Sequence, residues 1–180
     1  MVLAGESAWQ LGLDLVLLIP TGVAPHKELE DDPGAQVRAA MAHRAAASAE
    51  GLEVSDLELR RDGPSYTYET LEALRAERPD AELVWLMGAD AVLGLESWKR
   101  PERIVELARL GIAERSGVDP AALDDVLSRV GAGAAARVEM PGIGISSSLV
   151  RERVREGRPF AHLVPDGVAE AISREGLYGG

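Results

Sequence analysis

Apolar residues follow two spacings along this chain, running almost without interruption in some stretches and returning every three or four positions in others. Leu13-Asp14-Leu15-Val16-Leu17-Leu18-Ile19-Pro20 is a nearly continuous run ended by proline, the pattern of a strand buried on both faces of a parallel sheet. Leu83 to Gly88 repeats it. Leu52 to Leu59 alternates apolar with polar, which predicts a half-exposed or edge strand, and Leu110 to Glu114 and Arg137 to Met140 are shorter strands. The longer spacing predicts helices over Met1 to Leu11, Gln36 to Ala49, Thr67 to Glu77, Pro101 to Arg109, Pro120 to Val130 and Pro165 to Glu175. Their ends carry the expected punctuation: Gly12 and Gly176 after helices, Pro79 beyond one, Pro101 in a first turn. Pro20 to Pro33 reads as a loop and Asp62-Gly63-Pro64 as a turn. Strands alternating with helices over short connections predict an α/β sandwich around a mostly parallel sheet, in one domain spanning residues 1–180. The first helix has no capping residue before Met1, so the chain reads as starting inside an element.

Composition narrows the setting. A chain of 180 residues with 46% hydrophobic content can bury a core. With no cysteine there is neither a disulfide framework nor a thiolate metal site. No apolar run reaches membrane-spanning length, so no membrane partner is expected and a cytoplasmic setting is the default. The net charge of −11 argues against a nucleic-acid partner, which needs a contiguous basic footprint. Any phosphate site must therefore be local. The sequence has no feature that speaks to oligomeric state.

Against that acidic background stands Gly142-Ile143-Gly144-Ile145-Ser146-Ser147-Ser148-Leu149-Val150-Arg151, a loop running into serines and then an arginine-rich helix closed by Gly157. Serines accept from the free N–H groups of a first helical turn, and the remaining N–H groups and the dipole attract an anion such as phosphate. Arg151 and Arg155, four apart, share a face and could bring guanidinium forks to phosphate oxygens. The same residues equally suit a capped amphipathic surface helix with solvated arginines. Other polar clusters fall at strand ends or helix starts: Pro25-His26-Lys27, Gly63-Pro64-Ser65-Tyr66-Thr67-Tyr68, Gly88-Ala89-Asp90, Trp98-Lys99-Arg100 and Glu114-Arg115. In a parallel sheet, carboxyl strand ends gather on the rim where ligands bind. Tyr66 and Tyr68 could stack on a flat ring, and Thr67 suits a helix cap. Trp98, among Glu96, Lys99 and Arg100, reads as a contact residue rather than core. Lys27 could equally be a solvated lysine, and Asp90 a helix cap. His43 and His162 read as structural. Dinucleotide, P-loop, hydrolase-elbow and zincin motifs are missing from the 180 residues.

Taken in order, these clusters resemble bacterial nicotinate-nucleotide adenylyltransferases, of the nucleotidyltransferase superfamily. The residues carrying the likeness are Pro25-His26-Lys27, Val54 to Glu58, Gly63-Pro64-Ser65-Tyr66-Thr67, Thr70-Leu71, Gly88-Ala89-Asp90-Ala91, Trp98, Ile145-Ser146-Ser147-Ser148 with Arg151, and Gly176-Leu177-Tyr178. The resemblance implies a Rossmann-like three-layer sandwich of nucleotidyltransferase type. It also implies transfer of the adenylyl group of ATP to nicotinate mononucleotide, giving deamido-NAD and pyrophosphate. By the same resemblance, Lys27, Tyr66, Thr67, Asp90 and Trp98 would bind the mononucleotide. Gly88, Asp90, Arg115, Ser146, Ser147 and Arg151 would bind ATP, with Mg²⁺ carried on its phosphates. The alternatives are a non-catalytic nucleotide-binding remnant and a related enzyme using nicotinamide mononucleotide or phosphopantetheine.

The chain departs from that family at one place. The family opens with a strand and a glycine-rich segment ending H-x-G-H, whose histidines stabilise the transferring phosphate, and no match to it occurs in this sequence. Met1-Val2-Leu3-Ala4 lines up with the helix just after that segment. The resemblance thus implies an N-terminally truncated chain that lacks the central strand, is poorly stable and nearly inactive, with its catalytic residues unassigned.

Overall fold

The computed structural model describes residues 1–24, 32–114 and 117–179. Their contacts gather into two compact units, Met1–Asp14 with Ser65–Pro141, and Leu15–Pro64 with Gly142–Gly180. Among the described residues all strand pairing is parallel, in two sheets: one of β1 (Val16–Leu18) and β2 (Leu52–Val54), the other ordered β3 (Val84–Gly88), β4 (Arg109–Ala113), β5 (Ala136–Val138). This is the alternating parallel α/β arrangement that the apolar pattern predicts, with the strands shared between two sheets.

The first unit is built on β4, whose Ile112 is fully buried and Leu110 nearly so. Helices α3 (Thr67–Glu77) and α5 (Pro101–Leu107) pack on each other, as do α4 (Ala89–Leu93) and α6 (Pro120–Arg129), while α1 (Val2–Leu11) lies against β5. Their apolar faces deliver Leu71, Val92, Ile104, Leu123 and Val126 to one core. At about 25 cal/mol per Å² of apolar surface, each such fully buried side chain contributes roughly 1.5–3 kcal/mol. Gln10 ties α1 to the end of β5, donating to the Glu139 carbonyl and accepting from its N–H, both at 2.8 Å.

In the second unit, α2 (Ala35–Ala46) packs against α8 (Asp166–Glu175). Gly167 permits the approach: a Cβ there would stand 3.3 Å from the Cβ of Arg44. Helix α7 (Ser147–Arg155) ends as its glycine predicts. Gly157, at φ 66°, donates to Val154 at 3.1 Å, and Arg158 donates to Arg153 at 2.8 Å, the paired closure that a left-handed residue allows.

Several predicted elements shrink or change. β1 covers only the middle of Leu13–Pro20, because the Leu13 N–H closes α1 on the Ala8 carbonyl at 2.9 Å and Pro20 has no N–H to give. The alternation over Leu52–Leu59 yields a strand only to Val54. Beyond it, Leu59 and Arg60 turn back to the Asp56 carbonyl, and Leu57 and Glu58 are both buried, which an alternating strand does not allow. Helix α4 and the 3-10 turn Leu95–Ser97 follow β3 without a period long enough to show in the sequence, yet they bury Val92 and Leu95 completely. Thr67 is not a cap. Tyr66, extended at φ −92° and ψ 134°, holds the N-cap position of α3, so the threonine sits one residue too late.

Candidate functional site

Within the first unit, the turn before α3 assembles an aromatic and cationic cluster. The rings of Tyr66 and Tyr68 lie 6.2 Å apart with planes 25° from parallel. Tyr68 is buried and its hydroxyl donates to Glu69 Oε1 at 2.6 Å, a bond to a carboxylate that holds the phenol above its usual pKa. Lys99 Nζ stands 4.1 Å from the Tyr66 ring centroid, and the Arg100 guanidinium carbon 5.1 Å from that of Tyr68. Arg100 adopts left-handed backbone at φ 55°, a conformation costly for a side-chain-bearing residue. That kink sits between Lys99 and the first turn of α5 and lets successive cations address successive tyrosines. Trp98 is half-buried and, with Tyr66, packs against the edge of the core, so the contact residue expected from its polar neighbours is also a packing residue. Its charged neighbour Glu96 turns away to a bidentate pair with Arg129, at 2.8 and 3.0 Å.

Tyr66 offers no side-chain cap to α3, and Glu69 and Thr70 donate to its carbonyl. The N–H groups of Thr67 and Tyr68 have no acceptor within the helix, which turns donors and the positive dipole end toward anything beside the tyrosines.

The carboxyl ends of β3, β4 and β5 finish level, with Gly88 paired to Ala113 and Ala113 to Val138. Gly88 serves as N-cap of α4 at φ −74° and ψ 151°, ordinary extended backbone, and a Cβ there would meet nothing within 4 Å. The glycine is required neither by backbone angle nor by packing. Asp90 is exposed in the first turn of α4. A recess of about 410 Å³ opens at the opposite, amino ends of β3 and β4, lined by Arg75, Val84, Leu107, Arg109 and Ala132 among others. Arg75 is committed there to the Ala81 and Leu107 carbonyls, both at 2.7 Å.

Within the second unit, Ser146 caps α7 as the serine run predicts, accepting from the Leu149 N–H at 3.1 Å. Residues 141–148 are all exposed, Ser147 among them. Arg151 is half-buried; its Nη2 donates to Ser148 Oγ at 3.4 Å, and its guanidinium carbon lies 6.0 Å from the Tyr178 ring centroid. Tyr178 sits in left-handed backbone at φ 62° just beyond α8, and burial pushes its phenol pKa up while Arg151 pulls it down. Arg38 binds Asp32 and the carbonyls of Thr21 and Gly22, which holds the Asp32 carboxyl below its usual pKa. His43, read as structural, reaches Asp56 at 3.4 Å. Lys27 and Arg115 lie outside the described residues.

Tyr66, Thr67, Gly88, Asp90 and Trp98 therefore belong to one unit and Ser146, Ser147 and Arg151 to the other. The specific contacts of Lys99 and Tyr178 were not legible: the sequence groups Lys99 with Trp98 and Tyr178 with a terminal motif, but neither pattern names a ring or a cation as partner.

The alternating parallel α/β fold is of the nucleotidyltransferase type. The model of the cytidylyltransferase-like family matches residues 1–153. A relative from Synechococcus sp. (strain JA-3-3Ab) is 37% identical over 99% of this chain and 86% of its own, and one from Corynebacterium jeikeium 39% identical over 99% and 92%. Both carry the name "probable nicotinate-nucleotide adenylyltransferase". The chain belongs to the nicotinate-nucleotide adenylyltransferase family, within the cytidylyltransferase-like proteins. Its fold also matches the Plasmodium falciparum nicotinic acid mononucleotide adenylyltransferase complexed with APC, with a TM-score of 0.74 at 15% identity over 98% of this chain and 88% of that one.

Proposed function

We propose that this chain joins nicotinate mononucleotide to the adenylyl group of ATP, forming deamido-NAD and releasing pyrophosphate, in the cytoplasm. The observation that carries the reading is kinship at 37–39% identity over 99% of the chain with proteins of that one name.

The reaction is in-line: a mononucleotide phosphate oxygen attacks the α-phosphorus of ATP, a new P–O–P bond forms, and the bond to the β-phosphate breaks. Little proton chemistry is needed, so catalysis is mostly positioning and neutralising charge. Tyr66 and Trp98 would hold the nicotinate ring, the first-turn N–H groups at Thr67 and Tyr68 its carboxylate, and Lys27 and Asp90 the rest of the mononucleotide. Gly88 and Asp90 would border ribose, Arg115 the ATP side, and Ser146, Ser147 and Arg151 the phosphates. ATP would enter with Mg²⁺ on its phosphates, where the ion would shield their oxygens.

The test is pyrophosphate release from ATP and Mg²⁺ with nicotinate mononucleotide, nicotinamide mononucleotide or phosphopantetheine as acceptor, beside calorimetric binding of each. Binding and turnover are read side by side, so that holding the ligands and joining them are scored separately. Binding and product chiefly with nicotinate mononucleotide support the reading. Binding without any turnover favours a ligand-holding remnant.

Gly88→Ala separates site from fold. Because a Cβ meets no protein atom there and the backbone angles suit alanine, stability should change by no more than about 1 kcal/mol, the scale of an altered N-cap. ATP binding should weaken about tenfold or more, since the methyl stands where a ribose would approach; thermal melts and calorimetry read the two effects separately.

A further inference from the structure

The cation on Tyr66 does more than decorate the surface. Lys99 is exposed, and among the described residues no carboxylate pairs with it. The nearby acids are engaged elsewhere: Glu96 with Arg129, Glu72 with Arg103 at 2.9 Å, and Glu69 with the Tyr68 hydroxyl. Its ammonium instead lies 4.1 Å from the Tyr66 centroid. A ring stacked on a tyrosine has its centroid about 4.5–7 Å away, so ring and ammonium cannot share that face.

We propose that Lys99 is the residue by which this chain selects the acid over the amide mononucleotide. The proposal rests on the adenylyltransferase reading and assigns the specificity of the same site. A pyridinium ring entering beside Tyr66 displaces the ammonium, and the lysine's flexible four-carbon stem keeps the displaced charge within reach of the ring's substituent. With either ligand the Lys99 ammonium gives up its contact with the Tyr66 ring. A carboxylate replaces it with an ion pair, whereas a neutral amide cannot, so the same displacement favours one ligand and disfavours the other. The first turn of α3 does not discriminate in this way, because its N–H groups can donate to an amide carbonyl as well as to a carboxylate. Arg100 is kept from the role by its place over Tyr68. The geometry thus separates holding the ring, which falls to Tyr66 and Trp98, from reading its charge.

The experiment titrates the full chain, Lys99→Met and Lys99→Arg with nicotinate mononucleotide and with nicotinamide mononucleotide, with thermal melts to verify folding of the exposed-site variants. The expected result is a ratio of acid to amide affinity that falls about 10- to 100-fold in Lys99→Met, the scale of one hydrogen bond to a charged group, and falls less in Lys99→Arg. A ratio unchanged in Lys99→Met, while the parent chain binds the acid normally, overturns the lysine's role and leaves the function standing. A parent chain that binds neither mononucleotide overturns both.

Discussion

Replacing Arg151 with methionine should weaken ATP binding about 30- to 150-fold while affinity for nicotinate mononucleotide stays within about twofold. Arg151 leaves the first turns of α7 half-buried, 3.4 Å from Ser148 Oγ and beside the Tyr178 ring, on the helix whose N-terminus Ser146 caps. A guanidinium held in this way loses little freedom on meeting a phosphate, and charge-assisted bonds of this kind are worth about 1.5–3 kcal/mol each. Loss of about 2–3 kcal/mol gives the stated factor. Arg158, on the same stretch but paired with Glu156 at 2.9 Å, is the control: Arg158→Met should leave ATP binding unchanged. Calorimetric titration of both variants decides between a phosphate site and a solvated arginine face, since the second reading predicts no difference between them.

Gly111→Ala should destabilise the first unit by about 1–3 kcal/mol, the usual cost of overpacking a core. In a chain of this length that is a fall in melting temperature of roughly 2–12 °C. The added Cβ would stand 2.6 Å from Leu86 Cδ2, 3.0 Å from Val84 Cγ1 and 3.3 Å from Leu11 Cδ1, in the buried central strand of the three-stranded sheet. The glycine is there for space, not for a turn. Leu86→Ala in the same background should return part of the loss by removing the nearest clashing atom, and a double-mutant cycle on thermal melts measures the coupling. The contrast with Gly88→Ala is informative: both glycines lie in the same strand pair, but only one has protein atoms where its Cβ would be.

Local chemistry accounts for how much of this was legible. Gly12, Gly157 and Gly176 close their helices in left-handed conformation as a glycine after an apolar period predicts, and Ser146 caps α7 as a serine before such a period should. Helix α3 matches its predicted span because Pro79 forbids much beyond it. Failures came where a residue's local preference met a nonlocal demand. The Leu52–Leu59 alternation was broken by burial of Leu57 and Glu58 together, and Trp98 was drawn onto the core edge despite its charged neighbours. Helix α4, at five residues, is shorter than two periods and left no repeat to detect.

The sequence by itself determined the alternating parallel α/β order, the helix stops, the serine cap and the motifs that mark a nicotinate-nucleotide adenylyltransferase. These depend on φ and ψ preferences, missing N–H groups and apolar spacing, which act within a few residues. Tertiary structure alone decided that Lys99 rests on Tyr66, that Arg100 faces Tyr68 and Arg151 faces Tyr178, and that Gly111 must lack a side chain. Such contacts depend on where long side chains converge and how closely packed atoms can approach, and neither is encoded in the spacing of residues along the chain.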